Sequence, residues 1–259
     1  MSRVGRVRAE TLAATRSFLR RRTAVFFTFF FPLLLVLIFG VLVRTQPGGG
    51  GLFSRPDAYY LPGYLATVVL FTPLSRVGSE IARHRDGHRF EKLATTPLTR
   101  AEWLLAHTLV NVGVIGAASL LVFGLVVLVT GAAISVSANL LLLVPFVVVG
   151  VVLFCGVGAM LGRVSDTQDG VIAASNSVAL PLLFLSDTFV SPELLPEWFL
   201  PVVNFSPLTY FSRGVRAVTF AVPDGAGLSG LGATANLAIL AALALVAFAV
   251  GAVAVPRGE

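Results

Sequence analysis

Twenty consecutive residues, Ala24–Val43, carry no charge, and stretches of similar length and character recur along the chain. About twenty apolar residues, rising about 1.5 Å each, cross a hydrocarbon layer of ~30 Å. The stretches fall at about 24–43, 58–75, 104–130, 140–161, 171–185 and 231–255. This pattern predicts an all-α membrane protein with six transmembrane helices, in one domain over residues 1–259. Charged residues make up 12% of the chain, against about 25% in soluble domains. Little chain is left over for an extramembrane domain.

The basic residues are unevenly placed. Arg3, Arg6, Arg8, Arg16, Arg20, Arg21 and Arg22 precede the first stretch. Arg76, Arg83, Arg85, Arg89, Lys92 and Arg100 lie between the second and third. Only Arg44 and Arg55 lie between the first and second. This is the positive-inside asymmetry, and it predicts both termini in the cytoplasm. It also accounts for the pI of 10.4 without a nucleic-acid partner. The single cysteine, Cys155, excludes an intrachain disulfide. The first apolar run is too long for a cleavable signal, and no small-residue cleavage site follows it.

Residues 3–22 place Val4, Val7, Thr11, Leu12, Thr15, Phe18 and Leu19 on one helical face. Arg6, Glu10, Arg16, Arg20 and Arg21 fall on the other. An amphipathic interfacial helix is expected, with its arginines toward lipid headgroups. Tyr59, Tyr60 and Tyr64 suit an aromatic belt at the outer interface. Pro47-Gly48-Gly49-Gly50-Gly51 reads as a flexible outer loop.

Pro97 divides the charged stretch 76–103. Thr99 and Glu102 form a capping box at the start of the third span. A short helix around Gly87–Ala94 is expected before it, with Phe90 and Leu93 on one face, suited to docking a partner. Gly158 and Gly162 form a small-residue pair where helices can approach closely. Residues 192–220 are too broken for a span and too apolar for a free loop. Ser191-Pro192 and Ser206-Pro207 each place Pro just inside a helix start. Two short outer helices, about Pro192–Leu200 and Pro207–Phe220, are expected.

Several chemistries lack their residues. Lys92 is the only lysine, so there is no Gly-Lys-Ser/Thr phosphate loop. No charge lies at the middle of a predicted span, where ion-driven transporters keep one. His84, His88 and His107 form no metal set by spacing. No nucleophile motif is evident, so the chain is not expected to be an enzyme by itself.

From Ser186 the chain reads S-D-T-F-V-S-P-E-L-L-P-E-W-F-L-P-V-V-N-F-S-P-L-T-Y-F-S-R-G-V-R-A. This resembles the outer signature of ABC-2 type exporter permeases. Pro192, Pro196, Trp198, Asn204, Pro207, Leu208, Thr209, Tyr210 and Arg216 occupy its positions. Asp187 stands where such permeases often carry Gly. The stretch from Arg89 to Arg100 is similar to the family's cytoplasmic Glu-x-Leu and Thr-Pro block. The resemblance runs the length of the chain.

It implies a permease paired with a second copy of itself or a homologous permease, and with separate ATPase subunits that bind ATP and Mg. This chain would carry no cofactor. Arg89, Phe90, Glu91, Lys92, Leu93, Thr96, Pro97 and Leu98 would form a coupling helix and loop against the ATPase. Pro192, Pro196, Trp198, Asn204, Pro207, Tyr210 and Arg216 would form an outer gate, with the outer helices re-entrant. The implied function is export of a lipophilic or amphipathic substrate across a prokaryotic plasma membrane. The alternatives are a stand-alone secondary transporter or a membrane-embedded enzyme, for which Asp187, Glu193 and Glu197 are the outer acidic groups.

Overall fold

The computed structural model describes residues 2–42, 55–132, 134, 137–190, 195–220 and 231–256. The glycine loop at 47–51, Pro192 and Glu193 lie outside them. Among the described residues the chain forms ten α-helices. These are α1 (Arg3–Leu19), α2 (Arg22–Leu37), α3 (Leu61–Asp86), α4 (Arg89–Ala94), α5 (Arg100–Thr130), α6 (Leu143–Val164), α7 (Gln168–Phe184), α8 (Leu200–Val203), α9 (Pro207–Thr219) and α10 (Ala233–Ala254). Among the described residues, five segments are long and apolar enough to cross a membrane: Arg22–Gly40, Asp57–Asp86, Arg100–Thr130, Ala138–Val164 and Ala233–Ala254. The expected span at 171–185 corresponds to α7, which has 17 residues, about 25 Å of helix.

α3 is the central helix, packed by α5, α6, α7 and α9. Every residue from Ala58 to Leu70 is buried. Tyr59, Tyr60 and Tyr64 are only 3%, 1% and 4% exposed, so the expected aromatic belt is instead core. Tyr59 meets Phe220 edge-on and Tyr64 meets Phe189. The helix that carries the expected second span is longer than that span. The helix runs on from Ser75 to Asp86 without a break. The charges after Ser75 resemble a solvated connector, but Glu80 and His84 are buried within the bundle, and Glu80 is ion-paired with Arg21.

The α3–α6 and α6–α10 seams are built on missing side chains. A Cβ on Gly158 would lie 2.5 Å from the Leu74 carbonyl oxygen, and one on Gly162 2.8 Å from Gly78 Cα. On the opposite seam, a Cβ on Gly156 would lie 2.4 Å from the Ala247 backbone. Backbone atoms cannot yield as a flexible side chain can. Gly158→Ala is therefore expected to destabilise the bundle by about 1–3 kcal/mol through overpacking. Gly113 on α5 faces open space, so Gly113→Ala should leave stability level or raise it by a few tenths of a kcal/mol through helix propensity. Thermal unfolding of the two variants in detergent checks the contrast. Equal midpoints would refute the close seam.

α1 forms as its periodicity predicts, with Ser2 Oγ accepting the Gly5 N–H at 3.2 Å. Its orientation differs from the expectation. Arg6 and Glu10, assigned to the headgroup side, turn toward α5, while Val4 and Leu19 are 77% and 60% exposed. The reason is charge pairing: Arg6 meets a carboxylate on α5, and burial of that pair decides the roll of the helix. At the other end of the bundle, the start of the expected outer helix at Pro192 lies outside the described residues. A 3-10 turn at Glu197–Phe199 leads into α8. Ser206 and Pro207 do open α9, but Ser206 Oγ donates to the Leu182 carbonyl at 3.3 Å instead of capping the helix.

Candidate functional site

The charged connection between α3 and α5 is a small, tightly specified assembly. Asp86 and Gly87 end α3, and His88 turns the chain with φ of 50°, in the left-handed region. That region is costly for most residues, but His is enriched among those that adopt it. His88 Nδ1 lies 2.8 Å from Glu91 Oε1 across the first turn of α4. At the far end Thr95 Oγ1 donates to Lys92 O at 2.8 Å and Thr96 Oγ1 to Leu93 O at 2.7 Å. These hydroxyls satisfy carbonyls that a helix end leaves open, and Pro97 follows.

Glu102 then serves two helices. Its Oε2 accepts the Thr99 N–H at 2.9 Å while Thr99 Oγ1 accepts the Glu102 N–H at 3.2 Å, the capping box expected at the start of α5. The same carboxylate takes Arg6 bidentately, Nη2 to Oε1 at 2.5 Å and Nε to Oε2 at 3.1 Å. α1 is thereby held to the start of α5 through a planar, charge-assisted pair.

Phe90 anchors α4. It is buried between His84 of α3 and Trp103 of α5, with ring centroids 5.5 Å from each. Trp103 lies 4.0 Å from His107, which faces Glu10 of α1 at 3.5 Å. Arg89 reaches the same Glu10 oxygen at 3.7 Å. Burial works to raise the Glu10 pKa, but His107 and Arg89 outweigh it and hold the carboxyl below its usual range. Four helices thus meet on one cluster of rings and ion pairs. Of the predicted coupling residues, Phe90 is buried, while Arg89, Leu93 and Leu98 are half-buried. Glu91, Lys92, Thr96 and Pro97 are exposed.

The opposite end carries a second polar assembly. Asp187, after α7, is fully buried. Its Oδ1 accepts from Ser212 Oγ at 2.9 Å and its Oδ2 from Arg213 Nε at 2.5 Å. Arg213 Nη1 also donates to Asn204 Oδ1 at 2.9 Å. Arg216 lies 4.1 Å over the Tyr59 ring and donates from Nη2 to Asp187 O at 3.0 Å. Tyr210 Oη donates to Asn204 O at 2.8 Å. Asn204, Tyr210 and Arg216 are therefore brought together by α9, whose first turn Pro207 opens. Pro196 and Trp198 stand apart from them, with Trp198 75% exposed.

A family model described as ABC-2 type transporter matches residues 7–220. This chain belongs to the ABC-2 type transporter family. It is similar to the daunorubicin resistance ABC transporter permease protein DrrB1 of Streptomyces coeruleorubidus. The two are 28% identical over 222 residues, which cover 81% of this chain and 76% of that relative. The chain is thus a multi-pass membrane subunit of ABC-2 type.

Sequence reading missed several residues of the permease's two end assemblies. Arg6 and Glu10 read as the polar face of an interfacial helix, His84 and His107 only as histidines that form no metal set, and Trp103 has no assignment. Each finds its partner across a helix interface, with no local signal. Arg213 has no local signal for its partner, and the structure pairs it with Asp187. The departure from Gly at Asp187 was the one available clue, since a carboxylate there needs a nearby cation.

Proposed function

We infer that this permease is the transmembrane half of an ATP-driven exporter, working as a pair of permeases on two separate ATPase subunits. The observation that carries this reading is α4. A six-residue helix is too short to be stable alone, yet it is fixed by buried Phe90 and presents Glu91, Lys92, Thr96 and Pro97 outward. A rigid, charged knob joined to α1, α3 and α5 suits the transfer of a partner's movement into the bundle. Transfer of this kind requires different contacts in two states. Arg89, Leu93 and Leu98 complete the knob at its base.

The charge asymmetry supports a cytoplasmic location for α4 and for both termini, in a prokaryotic plasma membrane. α7 is then the sixth crossing. It buries Val171, Ser175 and Ala179 but leaves Asn176 and Ser177 exposed. An amide and a hydroxyl on an exposed face at mid-helix suit a second permease or a wet pathway better than lipid. Asn204, Tyr210 and Arg216, with Pro192, Pro196, Trp198 and Pro207, would cap that pathway outside. The relative's name makes daunorubicin, a flat lipophilic amphiphile, the first cargo to try.

Affinity purification of the tagged permease in mild detergent tests the assembly. A co-purifying ATPase with a phosphate loop, at 1:1, is the expected result. A stable assembly without an ATPase, even after crosslinking, would overturn the reading in favour of a stand-alone transporter.

A further inference from the structure

A cleft of about 430 Å³ opens between α2, α3 and α7, at the end of the bundle that carries α1 and α4. Its walls differ in character. Phe27 and Phe31 of α2, Phe71 of α3 and Ile172 of α7 make an apolar wall. Phe27, Phe31 and Ile172 are 56%, 47% and 46% exposed, so this wall is open at the surface of the bundle.

The other wall is cationic. Arg21, Arg76 and Arg83 line it with a single carboxylate, Glu80. Glu80 is already engaged. Arg21 Nη1 lies 3.3 Å from its Oε1, and Arg83 pairs with its Oε2. Among the described residues no ion pair is left for Arg76, and its Nη1 is buried without a hydrogen-bond partner. The Phe18 ring lies 3.9 Å from the guanidinium carbon. A ring face recovers only part of what a buried cation loses in leaving water. Arg76 lies nineteen residues beyond Asp57, where the membrane-length segment begins, and a 3-10 turn followed by α-helix over that stretch rises about 30 Å. It sits at the depth of an inner-leaflet headgroup if α3 enters from outside.

We propose that this cleft binds an amphiphile with an anionic, phosphate-type headgroup, its charge completing Arg76 and its tail lying along Phe27, Phe31 and Ile172. Arg21 and Arg83 add positive field at the mouth, and the hydroxyls of Ser75 and Ser79 stand on the same wall. Both a resident phospholipid and an anionic cargo have this chemistry. The site goes beyond the exporter reading and does not depend on it, because binding requires neither the ATPase nor turnover.

Native mass spectrometry of the full-length permease in detergent tests it, with phosphatidylglycerol, phosphatidylcholine and inorganic phosphate as probes. Phosphatidylglycerol is expected to bind at least roughly tenfold more tightly than phosphatidylcholine, the size of one charge-assisted hydrogen bond. Arg76→Gln should erase that preference and Arg76→Lys should keep part of it. Ile172→Trp, which obstructs the mouth but leaves every arginine in place, should also erase it, and decides the matter if Arg76→Gln fails to fold. Displacement of the lipid by millimolar inorganic phosphate would mean a free-anion site and overturn the amphiphile. Equal binding of the two lipids, or a preference that survives in both Arg76→Gln and Ile172→Trp, would overturn the site. If the site holds, addition of the ATPase and ATP separates its sources: turnover-dependent loss of the probe marks cargo, and retention marks a resident lipid.

Discussion

Exchanging the charges on the outer side of α4, Glu91→Lys with Lys92→Glu, is expected to abolish nucleotide-driven transport while leaving insertion and thermal stability unchanged. Both side chains are exposed. The one contact at risk within the permease is Glu91 to His88, whose side chains are 51% and 74% exposed. A pair so open to water contributes about 0–1 kcal/mol. Against a partner surface the arithmetic changes. Like charges brought together at an interface cost several kcal/mol, and each 1.4 kcal/mol is about a factor of ten. A loss of at least about a hundredfold in transport by proteoliposomes carrying the ATPase is therefore expected, with weaker co-purification of the ATPase. Leu93 and Phe90 are poorer targets. Leu93 packs on the core, and truncating buried Phe90 would cost about 3–5 kcal/mol of fold stability. Full transport by the charge-exchanged permease, with its ATPase bound, would remove α4 from the coupling role.

At the other end, Asp187→Ala is expected to lower the stability of the purified permease by about 3–5 kcal/mol, the cost of leaving a buried cation without its partner. The Arg213 side chain is 12% exposed and Asp187 is fully buried. The variant leaves Arg213 with Asn204 alone, while the Ser212 hydroxyl keeps the Thr209 carbonyl at 3.1 Å. Because Asp187 follows α7 and Arg213 lies on α9, the loss releases α9 from the end of α7. Denaturation of Asp187→Ala, Arg213→Ala and the double variant forms a cycle that separates the pair from its surroundings. The double variant is expected to be less destabilised than the sum of the two single ones. Strict additivity would mean that the short Arg213–Asp187 contact contributes nothing.

The features legible in the chain are those whose cause is local. Runs without charge became the five long helices. Thr99 and Glu102, three residues apart, formed their capping box, and Ser206-Pro207 opened α9. Gly158 and Gly162, one turn apart, became a close seam. Each signal acts within about one helical turn, through backbone hydrogen bonds, proline geometry or the size of a side chain.

The direction each face turns was not legible. The periodicity of α1 separates Arg6 and Glu10 from Val4 and Leu12, and hydropathy alone sends the charges to headgroups. Arg6 turns inward because Glu102, 96 positions later, is waiting with a carboxylate already shaped by its own helix cap. Tyr59 and Tyr60 look like belt residues until Arg216, 157 positions on, is placed against them. The burial of Glu80 past Ser75 follows the same rule, since Arg21 meets it from the link between α1 and α2. The chain by itself determined that it is a membrane helical bundle and where its helices start. Only the tertiary structure decided which charges are buried. The free energy of a buried charge depends on the partner within about 4 Å, and sequence distance carries no information about that partner.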